Sequence, residues 1–118
     1  MKKRIKSFGY AGRGIWLVIS NEANMKIHLA VALLVLMAGF YFQISVPEWL
    51  ACLFCFGLVF TAEMMNTAIE NVIDLFSPEQ HELARNGKDI AAGAVLVSAL
   101  IAAIVGLLIF LPKVWKLV

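Results

Sequence analysis

The chain has 118 residues, of which 62% are hydrophobic and only 15% charged, with a net charge of +2. A water-soluble domain averages about 45–50% apolar and about 25% charged residues, so this composition excludes an ordinary soluble fold and the length allows one membrane-embedded domain. Six of the ten Lys and Arg residues precede the first long apolar run; with no stacking platform or nucleic-acid module present, anionic lipid headgroups explain that basic start better than nucleic acid does.

Residues 1–24 are predicted to form an amphipathic surface helix. Ile5, Phe8, Ile15, Trp16 and Ile19 recur at helical spacing, with Lys2, Lys6 and Arg13 largely elsewhere, as in a helix lying among headgroups. A secretory signal is rejected, because the basic region is too long and no convincing small-x-small site follows the apolar run. Gly9, Gly12 and Gly14 spell G-x-x-G-x-G. That is not a phosphate loop, which would need a closing Gly-Lys-Ser/Thr, and it reads as small residues for close helix packing.

Three apolar segments follow, predicted as membrane-crossing helices over 25–44, 49–76 and 88–111. The third spans easily at about 1.5 Å per residue; the first must borrow a turn, and the second reaches spanning length only by including acidic residues. Between the first two, Pro47 is read as a breaker and Trp49 as an interfacial anchor. Residues 77–87 form the second connector, where Ser77-Pro78 resembles a helix cap with Pro at the first position. Pro112 is expected to close the third span. Cys52 and Cys55 form a C-x-x-C; its membrane-like flanks favour two small packing residues over a redox pair.

The second span carries the most informative pattern. Glu63, Asn66, Glu70 and Asp74 stand at i, i+3, i+7 and i+11, which puts them on one helix face at about 100° per residue. Ionisable groups running into an apolar helix are expensive and mark function by default. Glu63 lies about 14 residues from Trp49, roughly 21 Å along the helix, at inner-leaflet depth. A carboxylate there is a candidate general base for a lipid hydroxyl, or a structural acid between helices. Asn66 orients Glu63 or substrate, or makes a polar interhelical contact. Glu70 reaches phosphate depth and suits magnesium, a hard cation that takes one or two protein carboxylates. Asp74 continues the stripe into water as a substrate contact, a solvated charge or a helix-end ion pair.

Lys88 and Asp89 open the third span. Lys88 can hold a phosphate as a point charge; Asp89 can serve as a helix N-terminal anion, a lysine partner or a nucleotide contact. Glu22, the one acid in the basic segment, is a salt-bridge partner or a second magnesium ligand. His28 and His81 lack metal-ligand spacing; His28 sits at the membrane boundary and His81 in the connector.

The run from Glu63 to Asp74 resembles the E-x-x-N-[TS]-A-I-E-x-x-x-D signature of the bacterial diacylglycerol kinase and undecaprenol kinase family. Lys88-Asp89-Ile90-Ala91-Ala92-Gly93-Ala94 is similar to its second motif, and Asn21-Glu22-Ala23-Asn24, with His28 beyond, to its first. The basic start, Phe8, Gly9, Tyr10 and Gly14 fit as well, so the likeness covers essentially the whole chain. It implies an all-α homotrimer of three-span subunits, each with an amphipathic N-terminal helix. It also implies ATP with magnesium and direct phosphoryl transfer to a membrane lipid alcohol, either diacylglycerol or undecaprenol. By position, Glu63 would be the base and Glu22 and Glu70 the metal ligands. Asn66, Asp74, Lys88, Asp89, Tyr10 and Lys3 would contact substrate or nucleotide. The chain departs from the enteric pattern at Ala11, Lys3 and Gln80, where a serine, an arginine and a tyrosine would stand. Asn24 and His28 lean toward the undecaprenol-kinase branch.

Basic-residue bias sets the expected topology. With the N-terminus and second connector inside, eight of ten Lys and Arg are cytoplasmic, leaving Lys113 and Lys116 outside. The carboxylate stripe then faces the cytoplasm across a bacterial inner membrane, where ATP is found. The rival readings are a small cation-coupled transporter, which would place its carboxylate near midplane, and an inactive accessory subunit, which would not need four polar groups on one face.

Overall fold

The computed structural model describes residues 1–77, 79 and 81–118. Its helices are α1 (Lys2–Asn21), α2 (Ala23–Phe42), α3 (Val46–Phe76) and α4 (Glu82–Leu117). The last three are long and apolar enough to cross a membrane. The chain measures 54 × 42 × 21 Å. The long dimension matches the 36 residues of α4 at about 1.5 Å each.

α1 and α2 meet at a single extended residue, Glu22, with φ −99° and ψ 118°. The helical run is therefore interrupted at Glu22 rather than ending at residue 24. Its N–H still bonds the Val18 carbonyl at 3.0 Å, and its own carbonyl accepts from the Lys26 N–H at 3.3 Å, so the junction leaves neither backbone group of Glu22 unpaired.

α2 stops at Gln43, which adopts the left-handed conformation with φ 51°. The Ile44 N–H then turns back to the Gly39 carbonyl at 3.1 Å, and Ile44 is buried, completing a hydrogen-bonded stop with its apolar contact. α3 begins at once. Ser45 caps it, and Glu48 returns to the Ser45 N–H at 2.9 Å, forming a capping box worth about 1 kcal/mol. Pro47 thus starts α3 instead of breaking the chain, because the first turn needs no N–H from it. Trp49 is not a free interfacial anchor. Its ring lies where a Cβ on Gly39 would stand and packs on Phe40 with centroids 5.0 Å apart.

α3 and α4 run antiparallel, and an ion pair closes each end of the hairpin: Glu48 with Lys113, and Asp74 with Lys88. The intervals match in length, since 26 residues of α3 and 25 of α4 both span about 38 Å. α4 starts at Glu82, where the His81 Nδ1 accepts from the Leu83 N–H at 3.2 Å. Ser77 is instead the C-cap of α3, while Pro78 and Gln80 lie outside the described residues. Lys88 and Asp89 consequently sit in the second turn of α4, not at its mouth. α4 also continues through Pro112 to Leu117: the proline removes one ladder bond without ending the helix.

The packing is apolar at one end and polar at the other. Ile44, Cys52 and Ile109 are buried together, flanked by Trp49, Phe42 and Phe110. Farther along α3 the buried side chains are Val59 and then the polar Glu63, Asn66 and Thr67. Leucines, isoleucines and phenylalanines cover the outside, as lipid-facing helices require. Gly9, Gly12 and Gly14 face open space within the chain, so the expectation that they allow close helix packing does not hold inside this subunit. Cys52 and Cys55 are free thiols lining an apolar cavity of about 570 Å³ between α2, α3 and α4.

Candidate active site

The α3 stripe is a continuous helical face, as its spacing requires. Glu63 is 1% exposed, and among the described residues it is the side chain most completely enclosed. One turn on, Asn66 is buried too, and its Nδ2 donates to Glu70 Oε1 at 3.1 Å. Glu70 is half-buried and Asp74 exposed, so burial falls steadily from Glu63 to the helix end. Asp74 pairs with Lys88, which realises the ion-pair alternative for that residue.

Two residues join this face that the sequence reading did not assign to it. His28, from α2, brings Nε2 to 3.5 Å from Glu63 Oε2, at the limit of hydrogen-bond reach. The two atoms are not aligned for a hydrogen bond, and both remain without one. Thr67 is buried beside Asn66. Among the described residues, His28 Nε2, Glu63 Oε2, Asn66 Oδ1 and Thr67 Oγ1 are buried polar atoms with no hydrogen-bond partner. Each such atom costs about 1–3 kcal/mol. Three of them within residues 63–67, with the His28 atom beside Glu63, mark a place kept polar for chemistry rather than for packing. The signal for His28 was its interruption of an apolar run; nothing in the sequence said that it meets a residue 35 positions later.

Beyond Glu70 the face leads toward the end of the hairpin, where a polar pocket of about 360 Å³ is lined by Ser77, Glu79, His81, Arg85, Lys88 and Asp89. Two basic side chains and a histidine there suit an anion, and two carboxylates add polar edges. Arg85 was not singled out from sequence. Lys88 and Asp89, adjacent in the chain, both line this pocket.

The remaining expected site residues are not gathered by this chain. Lys3 is exposed on α1 and Tyr10 is 71% exposed. Glu22 is half-buried at the α1–α2 junction and forms no ion pair among the described residues. No group of three or more His, Cys, Asp and Glu among them could hold a metal ion. A complete protein cage is therefore absent within them. Glu22 and Glu70 are both half-buried carboxylates, the donor type that a hard cation takes when phosphates and water complete its shell.

Known proteins resemble this chain over most of its length. The profile of the prokaryotic diacylglycerol kinase family matches residues 9–110. The undecaprenol kinase of Bacillus subtilis (strain 168) is 47% identical over 113 residues, covering 96% of this chain and 92% of that protein. A diacylglycerol kinase of Synechocystis is 36% identical over 94% of this chain and 64% of its own length. That of Escherichia coli (strain K12) is 30% identical over 85% of this chain and 82% of its own length. None of these relatives favours a cation-coupled transporter. The span of the match and the identity to these kinases mean that this chain belongs to the prokaryotic diacylglycerol kinase family.

Proposed function

We propose that this protein is a lipid kinase that transfers the γ-phosphoryl group of ATP to the hydroxyl of a membrane lipid alcohol, of undecaprenol kinase or diacylglycerol kinase type. The observation that carries this reading is the course of α3. A fully enclosed carboxylate at Glu63 is followed by Asn66 and Glu70 along one face, toward the polar pocket that Lys88 and Arg85 line. Such a path joins a hydroxyl arriving in lipid to phosphates arriving from water. The 47% identity to an undecaprenol kinase makes the polyisoprenoid alcohol the first acceptor to test.

Glu63 takes the hydroxyl proton as the oxygen attacks phosphorus in line, and ADP leaves with the displaced oxygen. Asn66 fixes the Glu70 carboxylate through its Nδ2 and turns Oδ1 to substrate. Lys88, Asp89 and Asp74 hold the polar end of the substrates, with Lys3 and Tyr10 of α1 reaching nucleotide once α1 settles on the membrane surface. Glu22 and Glu70 would hold magnesium, which when bound neutralises phosphate charge and fixes phosphate orientation.

The assembly is a homotrimer of one-domain subunits in the bacterial inner membrane. α1 lies as an amphipathic surface helix, α2, α3 and α4 supply the three spans, and the site faces the cytoplasm. The flat chain with its exposed apolar faces and the basic N-terminus support this arrangement. The test is direct: purified protein in mixed micelles, given ATP and magnesium with undecaprenol, diacylglycerol or no lipid. Lipid-dependent ADP release and a phosphorylated lipid are expected. Failure with every alcohol would overturn the reading.

A further inference from the structure

We infer that His28 is a positioning residue for Glu63, its imidazole holding one carboxylate oxygen so that the other meets the acceptor hydroxyl. The inference rests on reading the chain as a lipid kinase with Glu63 as base. His28 Nε2 lies 3.5 Å from Glu63 Oε2, with side-chain exposures of 18% and 1%. Both atoms lack a hydrogen-bond partner among the described residues. A carboxylate enclosed to this degree is costly unless it is paired or hydrogen-bonded. Among the described residues, His28 is the one side chain within ion-pair distance of it.

The two residues come from different helices, α2 and α3, so the contact also fixes where Glu63 sits relative to the membrane span beside it. An imidazole that donates from Nε2 occupies one carboxylate oxygen, fixes the plane of the group and leaves the second oxygen as the proton acceptor. Long, poorly aligned contacts of this kind commonly tighten when substrate is bound. A rotamer adjustment of either side chain suffices to convert the present separation into a hydrogen bond.

His28 also lines the apolar cavity between α2, α3 and α4, as do Ala32, Cys52 and Val59. The imidazole thus lies between an apolar compartment and the carboxylate, with its polar edge at Glu63. A purely packing role would be filled as well by an aromatic ring without nitrogens.

The experiment compares His28→Phe with His28→Gln. Phenylalanine keeps the ring and removes the donor; glutamine places an amide N–H at about the same reach. Both are assayed with the lipid alcohol that the wild type phosphorylates. For His28→Phe, kcat is expected to fall about 10–100-fold, the usual cost of losing an orienting partner, with KM for ATP unchanged. His28→Gln should recover most of that loss. In the Glu63→Gln background, His28→Phe should cost little more, because the two act as one unit. Unchanged kcat in His28→Phe, no recovery in His28→Gln, or losses that multiply independently would each overturn the inference.

A second measurement needs no turnover. The 15N shifts of the His28 imidazole, resolved from those of His81 by His81→Asn, should move on Glu63→Gln. Unmoved shifts would overturn the pairing even in an active enzyme. A wild type that phosphorylates no lipid alcohol while its His28 shifts do respond to Glu63→Gln would instead overturn the kinase reading and the positioning role built on it.

Discussion

Lys113 Nζ donates to Glu48 Oε2 at 2.7 Å, tying the last turns of α4 to the first turn of α3. The same Glu48 carboxylate closes the capping box at Ser45 through Oε1, so one side chain both starts α3 and clips it to its neighbour. Lys113 also donates to the Ile109 carbonyl at 3.2 Å, just before Pro112.

Glu48→Ala is therefore expected to lower the thermal unfolding midpoint in detergent more than Lys113→Ala does. The first loses the cap and the ion pair, the second only the ion pair and its carbonyl contact. Kinase activity at low temperature should be unchanged in both, since this end of the hairpin is far from Glu63. Equal midpoints for the two variants would refute the double role of Glu48.

The metal assignment gives the next outcome. Glu70→Gln should raise the magnesium concentration needed for half-maximal activity and lower kcat together, because a carboxamide is a poorer ligand for a hard cation. Asn66→Ala removes the donor that orients Glu70 and should shift the magnesium titration in the same direction by less. A Glu70→Gln enzyme with a normal titration and normal turnover would remove Glu70 from the metal site.

Much of this was legible in the sequence, for physical reasons that differ by element. The membrane helices announce themselves by length and apolarity, and the α3 stripe by its spacing, because helical geometry converts sequence separation directly into a shared face. Helix ends were less legible. Pro47 starts a helix and Pro112 sits inside one, and proline alone does not say which until the partner groups are known. The His28–Glu63 contact was illegible because it depends on how α2 packs on α3, which no local pattern encodes. Lys3 and Tyr10 were assigned by likeness alone, and the single chain leaves both exposed.

Topology can be read from two exposed positions at opposite ends of α3 and α4. Val46 and Glu82 are both exposed, and neither replaces the Ser45 or His81 cap. With Cys52 and Cys55 changed to Ala, Val46→Cys should react with an impermeant thiol reagent added from outside intact cells. Glu82→Cys should react only after the membrane is opened. The expectation follows from the eight-to-two split of basic residues; labelling of position 82 from outside would reverse it.

The steepest difference in the site is between Glu63 and Asp74, two acids of the same helix face with opposite surroundings. Glu63 is enclosed, whereas Asp74 is 60% exposed and paired with Lys88, itself 41% exposed. An exposed ion pair is worth about 0–1 kcal/mol, so Asp74→Asn should cost activity only mildly, through a loosened hairpin end and a weaker substrate contact. Glu63→Gln keeps volume and hydrogen-bonding capacity while removing basicity. It should leave helicity, oligomeric state and nucleotide binding intact and slow the chemical step about 10²–10⁴-fold, the usual worth of general acid–base catalysis. Single-turnover measurement at saturating lipid, ATP and magnesium isolates that step from product release. A chemical step as fast as that of the wild type would exclude Glu63 as the base. A loss that appears only together with dissociation of the oligomer would assign the carboxylate to helix packing instead.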